Sequence, residues 1–200
     1  MMQPSGETDQ FLRERGFDLS GEYGQALDFA VLEPSARVLD VATGSGRMVQ
    51  QLLERGHRVI SGDITQEALD RARERLGDLA HEATLVILDA RNMEFADDSF
   101  SSVTLANAIH EMDNAIEALR EITRVTALDG KLLVVEFNQK GFELMELRHR
   151  MQGRGEHPKG EMSTEQIDLH LRSSFDRVET QEFGITHAWV ASGKRRRRNR

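Results

Sequence analysis

The 200-residue chain contains no cysteine, which removes disulfides, thiolate zinc sites, iron–sulfur clusters and any cysteine nucleophile. No run approaches the ~18 apolar residues of a membrane span, and the opening MMQPSGETDQ offers no apolar core for a signal peptide. These absences point to the cytoplasm and away from membranes. There is no internal repeat, and the one low-complexity segment is the terminal KRRRRNR. It holds six of the 26 basic residues, so residues 1–193 carry 20 bases against 34 acids, a net charge of −14. A body so charged repels a phosphate backbone, which leaves nucleic-acid binding to the tail and favours a small-molecule partner. Length and composition fit one domain, residues 1–193, followed by a basic tail, 194–200.

What is present is a repeated strand–helix pattern. From Ala36 onward, short β-branched runs alternate with helix-period segments, the pattern of an α/β, doubly wound, mostly parallel sheet. Strands are expected at 37–41, 58–62, 84–89, 101–106 and 131–137. A helix at 45–55 places Met48, Val49, Leu52 and Leu53 on one face and stops at Gly56. A second, 65–79, has Thr65 as N-cap and buries Leu69, Ala72, Leu76 and Leu79; a third, capped by Asp113 or Asn114, turns Ile116, Leu119, Ile122 and Thr126 inward and stops at Gly130. Residues 20–32 read as a helix within an N-terminal cap, 1–35. FDRVETQEF and ITHAWVAS flank Gly184 without a helix between them, so they read as an antiparallel hairpin, with Phe175 and Trp189 in the core. Residues 139–162, carrying Gly141, Gly153, Gly155 and Gly160, read as a broken helix and a hinged lid.

The first strand runs into a glycine loop, VLDVATGSGR, that opens a helix. A dinucleotide fingerprint needs G-x-G-x-x-G, but after Gly44 and Gly46 the third position is Val49, and Asp40 would oppose a pyrophosphate with like charge. A ligand bearing an ammonium and a sulfonium suits that acid better. Asp63 closes the second strand and Asp89 the third, so Asp40, Asp63 and Asp89 should converge outside the strands' carboxyl ends. Asp63 can accept from two ribose hydroxyls, and Asp89 from an adenine amino group.

On these residues the sequence resembles the class I S-adenosylmethionine-dependent methyltransferases over Ala36 to Phe137. VLDVATGSGR resembles that family's first motif, GDIT its ribose segment, LDARNMEFADDSF its adenine segment, and VTLANAIHEMDN the stretch after the fourth strand. The similarity is greatest to the small-molecule group that includes the ubiquinone and menaquinone methyltransferases, whose helix before the sixth strand MSTEQIDLHLRSSFDRVET resembles. The resemblance implies a Rossmann-like, mostly parallel seven-stranded sheet with a C-terminal antiparallel hairpin, and S-adenosylmethionine as cofactor. It implies that Asp40, Ala42, Gly44 and Gly46 line the methionine moiety, Asp63 and Ile64 the ribose, and Asp89, Ala90 and Arg91 the adenine. Ala106 would take the amino end through its carbonyl, with Tyr23 and Thr43 as candidates for the carboxylate.

The expected reaction is methyl transfer to a small-molecule acceptor by in-line displacement, in which the protein positions a nucleophile and excludes water. Where the acceptor must lose a proton, His110 is the candidate base, with Tyr23 and Glu136 behind it. Ala106, Asn107, Ala108 and Ile109 stand where base-methylating relatives carry an N-P-P-Y type sequence, which disfavours nucleobase amino methylation. His149, His157 and Glu161 match no standard metal-ligand spacing. Two other readings remain at this stage: an RNA or protein methyltransferase tethered by the tail, and a non-catalytic regulator that binds the same cofactor.

Overall fold

The computed structural model describes residues 6–196. The elements run α1 (Glu7–Arg13), α2 (Leu19–Ala30), β1 (Arg37–Val41), α3 (Arg47–Glu54), β2 (Arg58–Asp63), α4 (Gln66–Leu76) and β3 (Ala83–Ile87). They continue as β4 (Phe100–Ala106), α5 (Ala115–Val125), β5 (Thr126–Phe137), α6 (Gln139–Met151), α7 (Thr164–Ser174), β6 (Phe175–Phe183) and β7 (Thr186–Lys194). Seven strands form one sheet in the order β3-β2-β1-β4-β5-β7-β6. β3, β2, β1, β4 and β5 pair in parallel, while β7 runs antiparallel to both β5 and β6. The expected fold class and hairpin are therefore present. Chain order reverses between β1 and β4, the point at which open α/β sheets leave a crevice at their carboxyl edge.

Alternation along the strands sorts two cores. On one face Val38, Leu133 and Val135 pack with Leu27 of α2, Leu52 of α3 and Met145 of α6. On the other, Leu39, Val41, Leu132 and Val134 pack with Leu119 and Ile122 of α5, Leu171 of α7, Phe175 and Trp189. Leu132 to Val135 are buried on both faces, and each such side chain contributes ~1.5–3 kcal/mol relative to exposure.

Several local expectations need correction. Residues 139–151 form one unbroken helix, α6, because Asn138 caps it by accepting from Gly141 N–H at 3.1 Å and its glycine is packed rather than hinged. A Cβ at Gly141 would strike the Ile185 carbonyl and the Phe137 ring. Helix α5 ends at Val125, and Thr126 already pairs with Phe100; the register then jumps from Phe100↔Thr126 to Ser102↔Lys131. Gly130 belongs to that irregularity, pressed against the carbonyls of Phe100, Ser101 and Ala127, and stops no helix. Helix α4 ends at Leu76, where Gly77 turns at φ 53°, and Leu79 lies in the following 3-10 turn. Asp89 stands two residues beyond the end of β3. Helix α1 was not anticipated. The assumed tail also starts too early: Lys194 ends β7, where its ammonium pairs with Asp98 and donates to the Thr123 and Arg124 carbonyls, and Arg195 pairs with Asp176. The rest of the tail reading falls on 197–200, outside the described residues. Among the described residues no helix is long and apolar enough to cross a membrane.

Candidate functional site

The loop between β1 and α3 is set by three left-handed residues, Ala42 (φ 61°), Gly44 (φ 54°) and Gly46 (φ 78°). Thr43 N–H donates to the Gly62 carbonyl at 3.0 Å, and Gly44 N–H to Asp63 Oδ2 at 2.9 Å, so the loop hangs on the end of β2. Gly46 does not line the crevice. A Cβ there would lie 3.0 Å from Ala72, so this glycine lets α3 approach α4.

Asp40 also departs from expectation. Its carboxylate is buried and points across the sheet rather than into the crevice. Strand register sets Ser61 on one side and Thr104 on the other; Ser61 Oγ donates at 2.6 Å and Thr104 Oγ1 at 2.8 Å. Ser61 spends its only hydroxyl proton on Asp40, so Thr43 Oγ1 must donate to Ser61 Oγ at 2.6 Å. Burial pushes Asp40 up to about 6, against the hydrogen bonds of Ser61 and Thr104 and with help from the Asp63 charge. Asp40 thus anchors the loop that shapes the site.

The crevice consists of two adjoining cavities, about 550 Å³ and about 250 Å³, with Ala42, Asp63, Ala108 and Glu111 in the walls of both. The smaller is lined by Ile64, Asp89, Ala90 and Arg91, and the larger by Tyr23, Thr43, Gly44, Ala106, Asn107 and His110. Apart from Asp40 and Gly46, the structure brings every residue singled out for cofactor binding, and His110, into this one groove. Asp63 stands at its centre: Oδ2 takes the Gly44 amide and Oδ1 the Thr65 amide and hydroxyl, each at 3.2 Å. In the smaller cavity Asp89 is half-buried and gripped by Arg91 through Nε at 2.9 Å and Nη2 at 2.8 Å; those hydrogen bonds hold its carboxyl below the usual range. Arg91 therefore competes there with any further donor.

His110 lies in a short 3-10 turn after β4, with Nδ1 2.7 Å from Glu136 Oε1 and both side chains buried. A carboxylate can only accept, so Nδ1 carries the proton and, in the neutral ring, Nε2 bears the lone pair. Burial pulls the imidazole down, but the hydrogen bond and charge of Glu136, with Glu111, outweigh it and hold His110 above its ordinary value. Burial raises the Tyr23 hydroxyl well above its ordinary value, which removes it as a base near neutral pH.

Residues not singled out for the site also line the larger cavity. Asn107, at φ 46°, leaves its carboxamide nitrogen and oxygen without a well-formed hydrogen bond, though the Tyr23 hydroxyl is close enough to feel it. Arg47 faces the same space while paired to Asp9 of α1. His157 contributes its ring from the loop after α6. A run such as Ala-Asn-Ala gives no signal that its amide will lack a well-formed hydrogen bond at a strand end.

Comparison with known proteins gives a consistent setting. A family model described as a methyltransferase domain matches residues 39–134. The demethylmenaquinone methyltransferase of Beutenbergia cavernae is 36% identical over 112 residues, covering 56% of this chain and 45% of that protein. The ubiquinone/menaquinone biosynthesis C-methyltransferase of Ectopseudomonas mendocina is 32% identical over 124 residues, 60% of this chain and 48% of that one. The chain spans about half the length of the curated relatives it matches. An S-adenosylmethionine-dependent methyltransferase structure from Aquifex aeolicus has the same fold, with a TM-score of 0.65 at 16% identity over 92% of this chain and 98% of that one.

Proposed function

We propose that this chain, whose residues 39–134 match the model of a methyltransferase-domain family, transfers a methyl group from S-adenosylmethionine to a small-molecule acceptor of the quinone type. The observation that carries the reading is the single groove running from Asp89 through Asp63 to His110 along the carboxyl edge of the sheet. The names of the two quinone-methylating relatives support the acceptor class.

The donor set suits the cofactor. Its amino-acid end carries an ammonium and a carboxylate, and the Asn107 carboxamide, an acceptor and a donor together, meets both beside the Ala106 carbonyl. Arg47, Tyr23 and Thr43 border that end; Asp63 retains lone pairs for the ribose hydroxyls, Ile64 packs beside it, and Asp89, Ala90 and Arg91 frame the adenine. When bound, S-adenosylmethionine supplies a methyl group on a cationic sulfur, ready for in-line displacement. The protein's own part is to hold the acceptor's nucleophile in line, exclude water and take the displaced proton. His110 Nε2 takes that proton while Nδ1–H stays on Glu136, whose charge stabilises the imidazolium that forms.

Residues 1–193 work as one domain in this reading, with the helices of 1–35 capping the groove. The segment after α6 acts as its movable cover, hinged at Gly153 and Gly155, which have open space around them; Gly141 and Gly160 are packed. Calorimetry with S-adenosylhomocysteine and NAD tests the cofactor. Tighter binding of NAD overturns the assignment. Turnover of 1,4-dihydroxynaphthalene, followed by mass spectrometry with a deuterated methyl donor, tests the acceptor class.

A further inference from the structure

The far end of the larger cavity, beyond His110, is walled by Phe137, Met145 and the loop between α6 and α7. From that loop His157 inserts its ring, 6% exposed, among His110, Phe137, Phe142 and His149. Its main-chain N–H donates to Glu146 Oε2 at 2.9 Å. Gly160, three residues on, presses against His110, where a Cβ would come 2.6 Å from the His110 Cα. His110 and His157 are thus placed relative to one another by backbone contact.

The ring's protonation follows from a short relay. His149 Nδ1 lies 3.3 Å from the Gly155 carbonyl, which can only accept, so Nδ1 carries the His149 proton. In a neutral ring His149 Nε2 is then a bare acceptor, and His157 Nδ1, 3.2 Å away, must donate to it. That leaves His157 Nε2 with a lone pair. This atom is buried and has no partner, a state that costs free energy unless something supplies a hydrogen.

We infer that His157 is an acceptor-binding residue, its Nε2 lone pair taking a hydrogen bond from an O–H or N–H of the molecule to be methylated. Burial, with the neighbouring His110 and His149, pushes His157 down to about 4, so the lone pair is free at neutral pH. Such a group distinguishes a donor-bearing acceptor from the same ring with its donor blocked, because the blocked ring leaves Nε2 buried and unpaired. His110 sits 5.1 Å away, centroid to centroid, so one ring can hold the acceptor by a hydroxyl while the other serves the reacting position.

The assignment rests on the methyl-transfer reading of the groove. The test measures binding of 1,4-dihydroxynaphthalene and 1,4-dimethoxynaphthalene to the full chain saturated with S-adenosylhomocysteine. Wild type should prefer the dihydroxy compound by about ten-fold, the size of one hydrogen bond to a buried group. His157→Phe should abolish that preference, and His157→Gln, whose side-chain oxygen accepts, should restore part of it, with S-adenosylhomocysteine affinity unchanged in both. Wild-type protein that binds both naphthalenes equally, or a preference that survives in His157→Phe, overturns the role of His157 and leaves the proposed function standing. Uptake of neither compound by cofactor-saturated wild type overturns the acceptor class, and this assignment with it.

Discussion

The two ends of the groove are built on opposite principles. At the adenine end the groups lie near the surface: half-buried Asp89 and exposed Arg91 grip each other, and Ile64 stands open to solvent at 58% exposure. At the methionine and acceptor end they are buried in the Ser61–Asp40–Thr104 row and the His110–Glu136 pair, with the Asn107 carboxamide and His157 Nε2 left without a well-formed hydrogen bond. Exposed groups trade one partner for another at little cost, whereas buried ones either hold the wall rigidly or wait for a ligand. Asp63 is the hinge between the two regimes, half-buried and common to both cavities.

The largest expected effect lies at the buried end. Asp40 is raised from 3.8 to about 6 in the folded chain, so folding favours its protonated form. Its contribution is therefore most favourable below pH 4 and is lost as pH rises through 6, an effect of up to about 3 kcal/mol. Urea unfolding of wild type against Asp40→Asn between pH 3.5 and pH 7 should show that difference; parallel profiles would mean that Asp40 ionises as freely as a surface acid. Next comes Asp63→Ala, which should weaken S-adenosylhomocysteine binding by roughly 1.5–3 kcal/mol, measured by calorimetry. Asp89→Ala should cost less, about 0.5–1 kcal/mol, because Arg91 and water already compete for that carboxylate. Equal losses in the two variants would erase the contrast between the ends.

A smaller effect concerns His110. Its NMR titration midpoint should lie above 6.5 in wild type and fall in Glu136→Gln, where the charge is gone but the shape remains. An unchanged midpoint would remove Glu136 from the base. The smallest expected effect is on the cover. Trypsin should cut at Arg154, which is exposed beside Gly153 and Gly155, more slowly once S-adenosylhomocysteine is bound. Arg148, paired with Glu7 and only 11% exposed, should resist with or without ligand.

The strands and their order of appearance were legible because a parallel sheet buried on both faces demands runs such as KLLVVEF, and the helices because their apolar residues recur on one face. Gly56 and the capping Thr65 did what local chemistry says they must. Gly130 and Gly141 did not: each looks like a breaker in one dimension, yet each is required by a close backbone approach from a distant segment. Asp63, Asp89 and His110 were locatable because strand ends in this topology share an edge.

What the sequence alone determined is therefore the alternation of elements, the family resemblance and the edge on which the acids gather, all consequences of local pattern and strand direction. Tertiary structure alone decided which polar groups face the ligand. Asp40 turned inward because Ser61 and Thr104 flank it in register, and Asn107 and His157 became significant only through the well-formed hydrogen bonds they lack. Hydrogen-bond satisfaction depends on every neighbour in space, and a chain read in order cannot count neighbours that lie 21 or 64 residues away.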